Sequence, residues 1–103
     1  MTAVVEQSGA AWPAWQVPPG ALGEWLALRL AVAVLENGTP CEDDPELWFV
    51  GAASPRLPDA VYGCSRCPVA VECRAYAMAA DERSGVWGGL TETERRQVAG
   101  RTR

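Results

Sequence analysis

Four cysteines constrain this chain more than any other feature: Cys41, and then Cys64, Cys67 and Cys73 in a tight group. With 103 residues the chain builds one small domain at most. A core of that size is marginal unless disulfides, a metal or a partner fasten it. The chain contains no histidine and no lysine, and its nine basic residues are all arginine. Imidazole is therefore excluded both as a metal ligand and as a general base. A net charge of −4 argues against strong non-specific binding to nucleic acid or anionic membranes. The opening MTAVVEQSG lacks a basic region followed by a long apolar run, so no secretory signal is expected. The most apolar segment, Ala21 to Leu35, is too short to span a bilayer and carries Glu24 and Arg29. A soluble, cytoplasmic protein is predicted. In that reducing compartment four cysteines point to a metal site or a redox couple rather than to a disulfide framework.

The spacing limits what the thiols can share. Cys64 and Cys67 form a C-x2-C pair whose sulfurs can converge across a tight turn. Cys67 is expected at the N-cap of a helix starting with Pro68, where free amides and the helix dipole favour thiolate and sulfide. Cys73 lies six residues on, about 9 Å along a helix axis at 1.5 Å per residue, and helical side chains lean back toward the N-terminus. Cys41 arrives from a separate segment to complete the set. Structural zinc accepts four thiolates but typically uses two short knuckles, and only one exists here. A cubane iron–sulfur cluster suits ligands spaced further apart. A C-x-x-C dithiol for disulfide exchange is the third reading, though it leaves Cys41 and Cys73 unexplained.

The remainder of the chain reads as an all-α domain of about four short helices. Residues 1–20 are expected to form a mobile arm, rich in proline and glycine, in which Trp12 and Trp15 either fold back or dock on a partner. A helix is predicted over Ala21–Glu36, closed by Asn37-Gly38. It is apolar nearly all round and so should be covered on several sides, which in so small a protein means that it covers the metal site, packs on a partner, or both. The acidic run Glu42, Asp43, Asp44 and Glu46 reads as a solvated surface. Leu47-Trp48-Phe49 is an aromatic cluster, and Val50–Pro58 a loop. Asp59–Tyr62 forms at most a single helical turn. The next helix should run over Val69–Arg83, stopped by Ser84-Gly85, with Gly85-Val86-Trp87-Gly88-Gly89 as a tight turn. Thr91 and Glu94 form a capping box opening a last helix with a Glu92–Arg96 pair. The chain then divides into an arm (1–20), a ligand-binding domain (21–90) and a short helix with a weakly basic tail (91–103).

At these residues the sequence resembles the WhiB-like family of actinobacterial and actinophage transcription regulators. Cys41, Cys64, Cys67 and Cys73 meet the family's four-cysteine pattern. Asp44-Pro45-Glu46-Leu47-Trp48-Phe49 is similar to the stretch that follows the first cysteine in that family. Cys67-Pro68-Val69 and the turn Gly85–Gly89 continue the likeness, which runs from about Cys41 to Arg96. The resemblance implies a non-enzymatic regulator with a 4Fe–4S cluster held by the four cysteines and wrapped by the helices. It also implies docking of one copy on region 4 of the primary sigma factor of RNA polymerase, through Trp48, Phe49, Val86, Trp87 and Gly88. Response to oxidants or nitric oxide is a further implication. Many relatives end in a dense basic tail. Here only Arg95, Arg96, Arg101 and Arg103 are available, offset by Glu92 and Glu94, so DNA contact should be weak and salt-sensitive. A cluster-free disulfide reductase and a small four-cysteine zinc module are the alternatives.

Overall fold

The computed structural model describes residues 17–101. Residues 1–16 with Trp12 and Trp15, the side chain of Arg101, and Arg103 lie outside the described residues, whereas the end of the expected mobile arm is packed on the domain through the buried Val17. Among the described residues the chain forms five α-helices: α1 (Leu22–Ala33), α2 (Pro40–Asp43), α3 (Leu57–Ser65), α4 (Ala70–Ala80) and α5 (Glu92–Arg101). Short 3-10 turns over Pro19–Ala21 and Pro45–Phe49 complete the set. Extended pairing is confined to one isolated bridge, Trp87 with Leu90. The all-α expectation is met.

Several boundaries depart from the sequence reading for identifiable reasons. Helix α1 ends at Ala33 rather than at Glu36, where the Leu35 N–H tightens onto the Val32 carbonyl and breaks the α-ladder. Gly38, with φ of 70°, serves the turn into α2 and not a helix cap. The segment expected as a loop with a single turn is the nine-residue helix α3, with Pro58 accommodated in its first turn. Proline costs nothing there, because the missing N–H has no intrahelical partner anyway. Helix α4 begins at Ala70 and stops at Ala80, short of Ser84-Gly85. Asp81 takes the left-handed conformation (φ 55°, ψ 48°). Around it, Glu82 N–H bonds Ala77 O and Asp81 N–H bonds Met78 O. This is a Schellman stop built on aspartate, whose short polar side chain tolerates that conformation better than most.

Two apolar clusters form. In one, Tyr76 is almost completely buried at the centre, with Val17, Ala21, Leu28 and Val69 around it, where α1 crosses α4. In the other, Trp48, Ala60, Cys64 and Val86 meet between α3 and the aromatic turn. Among the described residues helix α1 is covered on one side only. Leu28 faces α4, whereas Leu30 and Val34 are 71% and 80% exposed. The expected cover on several sides is absent among the described residues, since α1 packs mainly on α4 and the turn before it.

Helix α5 is fastened to the body rather than trailing from it. Thr91 and Glu94 make the reciprocal capping box, at 2.9 and 3.2 Å. Glu92 turns inward, its carboxylate accepting the Gly85 N–H at 2.8 Å, where the sequence suggested a surface pair with Arg96. Arg95 is 4% exposed and donates to the carbonyls of Glu82, Leu90 and Ser84. Burial lowers its pKa, and Glu92 and Glu82 oppose that shift. Arg95 therefore ties α5 to the 82–90 turn and is not available to a phosphate, correcting its assignment as a DNA contact. Arg96 is exposed. Truncating a buried guanidinium strands its carbonyl partners. Arg95→Ala should destabilise the protein by about 2 kcal/mol, and Arg96→Ala by less than about 0.5 kcal/mol, measured by denaturant unfolding.

Candidate metal centre

The four cysteines come from four places in the chain. Cys41 sits in the single turn of α2, and Cys64 in the last turn of α3. Cys67 lies in the turn joining α3 to α4, and Cys73 in the first turns of α4. Cys67 is thus three residues ahead of the first residue of α4, and Val69 occupies the N-cap expected for it. Two i→i+3 bonds, Cys67 N–H to Cys64 O and Ala70 N–H to Cys67 O, lead the chain smoothly from one helix to the next. The turn, rather than a helix N-terminus, places Cys67.

All four cysteines line one cavity of about 230 Å3. A single water needs only about 10–15 Å3 of such space, and well-packed interiors leave few voids larger than that. The cavity is therefore not a packing defect. Trp25, Leu28 and Val32 of α1 form one wall; Trp48, Phe49, Tyr76, Val86 and Trp87 supply much of the rest. The cysteines carry no disulfide. Among the described residues no three cysteine, aspartate or glutamate side chains converge on one ion position.

Each sulfur has a hydrogen-bond partner. Trp48 Nε1–H donates to Cys64 Sγ at 3.2 Å, and the Thr39 hydroxyl lies 3.1 Å from Cys41 Sγ. Backbone N–H groups of Val69 and Gly88 donate to Cys67 and Cys73. Burial nonetheless raises the pKa of Cys41, Cys67 and Cys73, the last to about 12, and the neighbouring thiols add to the effect. Donors aimed at sulfur, in a setting that resists thiolate charge, suit a cationic iron or zinc guest that supplies the missing positive charge. The same raised values count against a C-x-x-C attacking dithiol, which needs a lowered thiol pKa.

The glycine turn serves this arrangement directly. Gly88 and Gly89 have φ of 58° and 84°, and Trp87 and Leu90 exchange both backbone hydrogen bonds across them, at 3.1 and 3.0 Å. Positive φ at both central positions is what a two-residue reversal of this kind requires. At Gly88 a Cβ would lie 2.6 Å from Ala70 O and from Arg74 N. The turn therefore lies directly against the start of α4, with Gly88 N–H on Cys73 and Gly88 O accepting from Arg74 Nε and Nη2 at 3.2 and 2.9 Å.

The aromatic residues assigned to a partner surface separate into two kinds. Trp48 is buried at 6% exposure with its indole on Cys64, and Val86 is buried with its N–H on the Trp48 carbonyl. Gly88 is buried too. These three support the centre and are not free for docking, which corrects that reading. Phe49 is 51% exposed and meets Trp87 edge-on, with ring centroids 6.4 Å apart. Trp87 is half-buried against Tyr76, its Nε1–H on the Ser84 carbonyl. Thr39 and Arg74 escaped the sequence reading, because nothing in their local pattern tells that they converge here; the α1 wall is one of the two roles expected of the apolar helix.

Comparison with known proteins bears on the same segment. The family model described as transcription factor WhiB matches residues 36–98, a span that holds all four cysteines and the glycine turn. The chain belongs to the WhiB family. Transcriptional regulator WhiB1 of Mycobacterium tuberculosis is 48% identical over 61 residues, covering 55% of this chain and 73% of its own. WhiB2 of the same species is 37% identical over 82 residues, 80% of this chain and 81% of its own. WhiD of Streptomyces coelicolor is 54% identical over 52 residues, half of this chain and 46% of its own. Helix α1 precedes the matched WhiB segment and nevertheless walls the cavity. No helix among the described residues is long and apolar enough to cross a membrane.

Proposed function

We propose that this WhiB-family chain is a cytoplasmic transcription regulator. Its four thiols hold a 4Fe–4S cluster, and its Phe49–Trp87 surface docks on region 4 of the primary sigma factor. The observation that carries the reading is the gathering of Cys41, Cys64, Cys67 and Cys73 around one cavity, each sulfur with a hydrogen-bond partner. A cavity of about 230 Å3 lined by all four thiols has room for a polynuclear group, whereas one zinc ion needs four sulfurs about 2.3 Å from a single point and typically takes them from two short knuckles. When bound, the cluster would supply a redox-active iron centre and a covalent fastening for a small core. The chain's own residues do the rest. The two buried tryptophan and valine side chains, Trp48 and Val86, brace the centre, while Phe49 and Trp87 form an edge-to-face pair at its exposed side.

Release of the fastening would free α2 and the α3–α4 turn, which is how oxidants or nitric oxide would reach the docking surface. DNA contact falls to Arg96 and the last arginines, through sigma, since Arg95 is internal.

Phe49 is the cleaner test of docking because it is half exposed, whereas Trp87 also packs on Tyr76. Aromatic anchors at interface centres commonly account for 2 kcal/mol or more, which is roughly a 30-fold change in affinity. Phe49→Ala should keep its full iron content and lose at least about 30-fold in affinity for isolated sigma region 4, measured by titration calorimetry. Unchanged affinity would remove this pair from the interface.

A further inference from the structure

We propose that Trp25 is a hydrogen-bond donor to the sulfur of the group held by the four cysteines, so that α1 acts as a built-in wall of the metal centre. The proposal rests on the cluster reading above and adds a residue outside the segment that defines the family.

Trp25 Nε1 is the sole buried side-chain nitrogen or oxygen without a hydrogen-bond partner among the described residues. A buried indole N–H with no acceptor is costly, and such groups are rare in folded proteins. Trp25 lines the same cavity as the four thiols, together with Leu28 and Val32 of its own helix. Leu28 and Val32 offer no acceptor, so the acceptors a guest brings into that space are its sulfurs. The site already uses this chemistry once, in the indole N–H of Trp48 on Cys64 at 3.2 Å. The Arg29 guanidinium lies 5.9 Å from the centre of the Trp25 ring. A cation over the ring draws electron density from it and strengthens the N–H as a donor. The acceptor class is therefore an anionic sulfur, thiolate or bridging sulfide. Hydrogen bonds to such sulfurs stabilise added negative charge and raise the reduction potential of the centre.

The test compares anaerobically loaded full-length wild type with Trp25→Phe, and with a variant carrying benzothienylalanine at position 25, which keeps the ring shape and lacks only the N–H. Trp48→Phe, which removes an observed N–H to sulfur bond, sets the scale. Iron and sulfide content should match in wild type and both position-25 variants. In both position-25 variants the midpoint potential should move to more negative values. The shift of the iron–sulfur stretching bands on transfer from water to D2O, read by resonance Raman, should shrink. Loaded variants with potential and bands identical to wild type overturn the role of Trp25 while leaving the cluster reading intact. A wild type without iron and sulfide overturns both. If Trp25→Phe fails to fold, the isosteric variant alone decides.

Discussion

Cys73→Ala should yield a colourless protein in which iron and acid-labile sulfide fall from about four of each per chain, the cubane content, to near zero. It should also lose much of its helical circular dichroism. Cys73 is the proposed ligand on α4, the helix that carries Tyr76 at the centre of one apolar cluster and packs on α1. The glycine turn meets the same helix through Gly88 N–H on the Cys73 sulfur. A guest that binds only the folded chain adds its binding free energy to stability. Chelation of the wild type should therefore mimic the substitution, lowering the melting temperature to that of Cys73→Ala. Full iron retention in the variant would remove Cys73 from the ligand set. One zinc per wild-type chain, with no iron, would replace the cluster by the single-ion alternative.

Gly88→Ala should destabilise the protein by roughly 2–5 kcal/mol, while Gly89→Ala should cost about 1–2 kcal/mol. Both residues have positive φ, so both substitutions incur the left-handed penalty. They differ in what the new methyl meets. At Gly88 it lands 2.6 Å from backbone atoms of Ala70 and Arg74, which cannot rotate away; at Gly89 its nearest neighbour is Cys64 Cβ at 3.7 Å, an ordinary contact. Relief at position 88 requires the turn to back off α4, which also lengthens the bond to Cys73 and the pair from Arg74 to Gly88 O. Midpoints of denaturant unfolding at unchanged slope measure the difference. Equal midpoints would mean that the close approach to α4 is not what position 88 requires.

Much of the centre was legible locally. The C-x2-C pair, Cys73 a helical step beyond it, the capping box at Thr91 and the reversal at Gly88-Gly89 each depend on residues within a few positions of one another. Such signals survive in sequence because local sterics and hydrogen bonding fix them. The misplacements share another cause. Trp48 and Val86 read as surface because aromatic and apolar residues near a glycine turn look alike whether they face a partner or the core. Only the packing of α3 against the Pro45–Phe49 turn puts the Trp48 indole on Cys64. Arg95 read as a DNA contact because arginine near a chain end is usually solvated. Three carbonyls of the 82–90 turn, two of which also accept from Trp87, bring it inside.

By itself, then, the sequence determined the candidate ligand set, four thiols and no imidazole. It also determined the helical class, through local propensity and caps. Tertiary structure alone decided which donors reach the sulfurs, which aromatics stay exposed, and which of the roles open to the apolar helix α1 takes, with Trp25 on the cavity wall. Those outcomes depend on contacts between segments far apart in the chain, such as Trp25 with the cavity of Cys41 and Cys73. Side-chain identity sets what such contacts are worth, and the path of the backbone sets whether they occur.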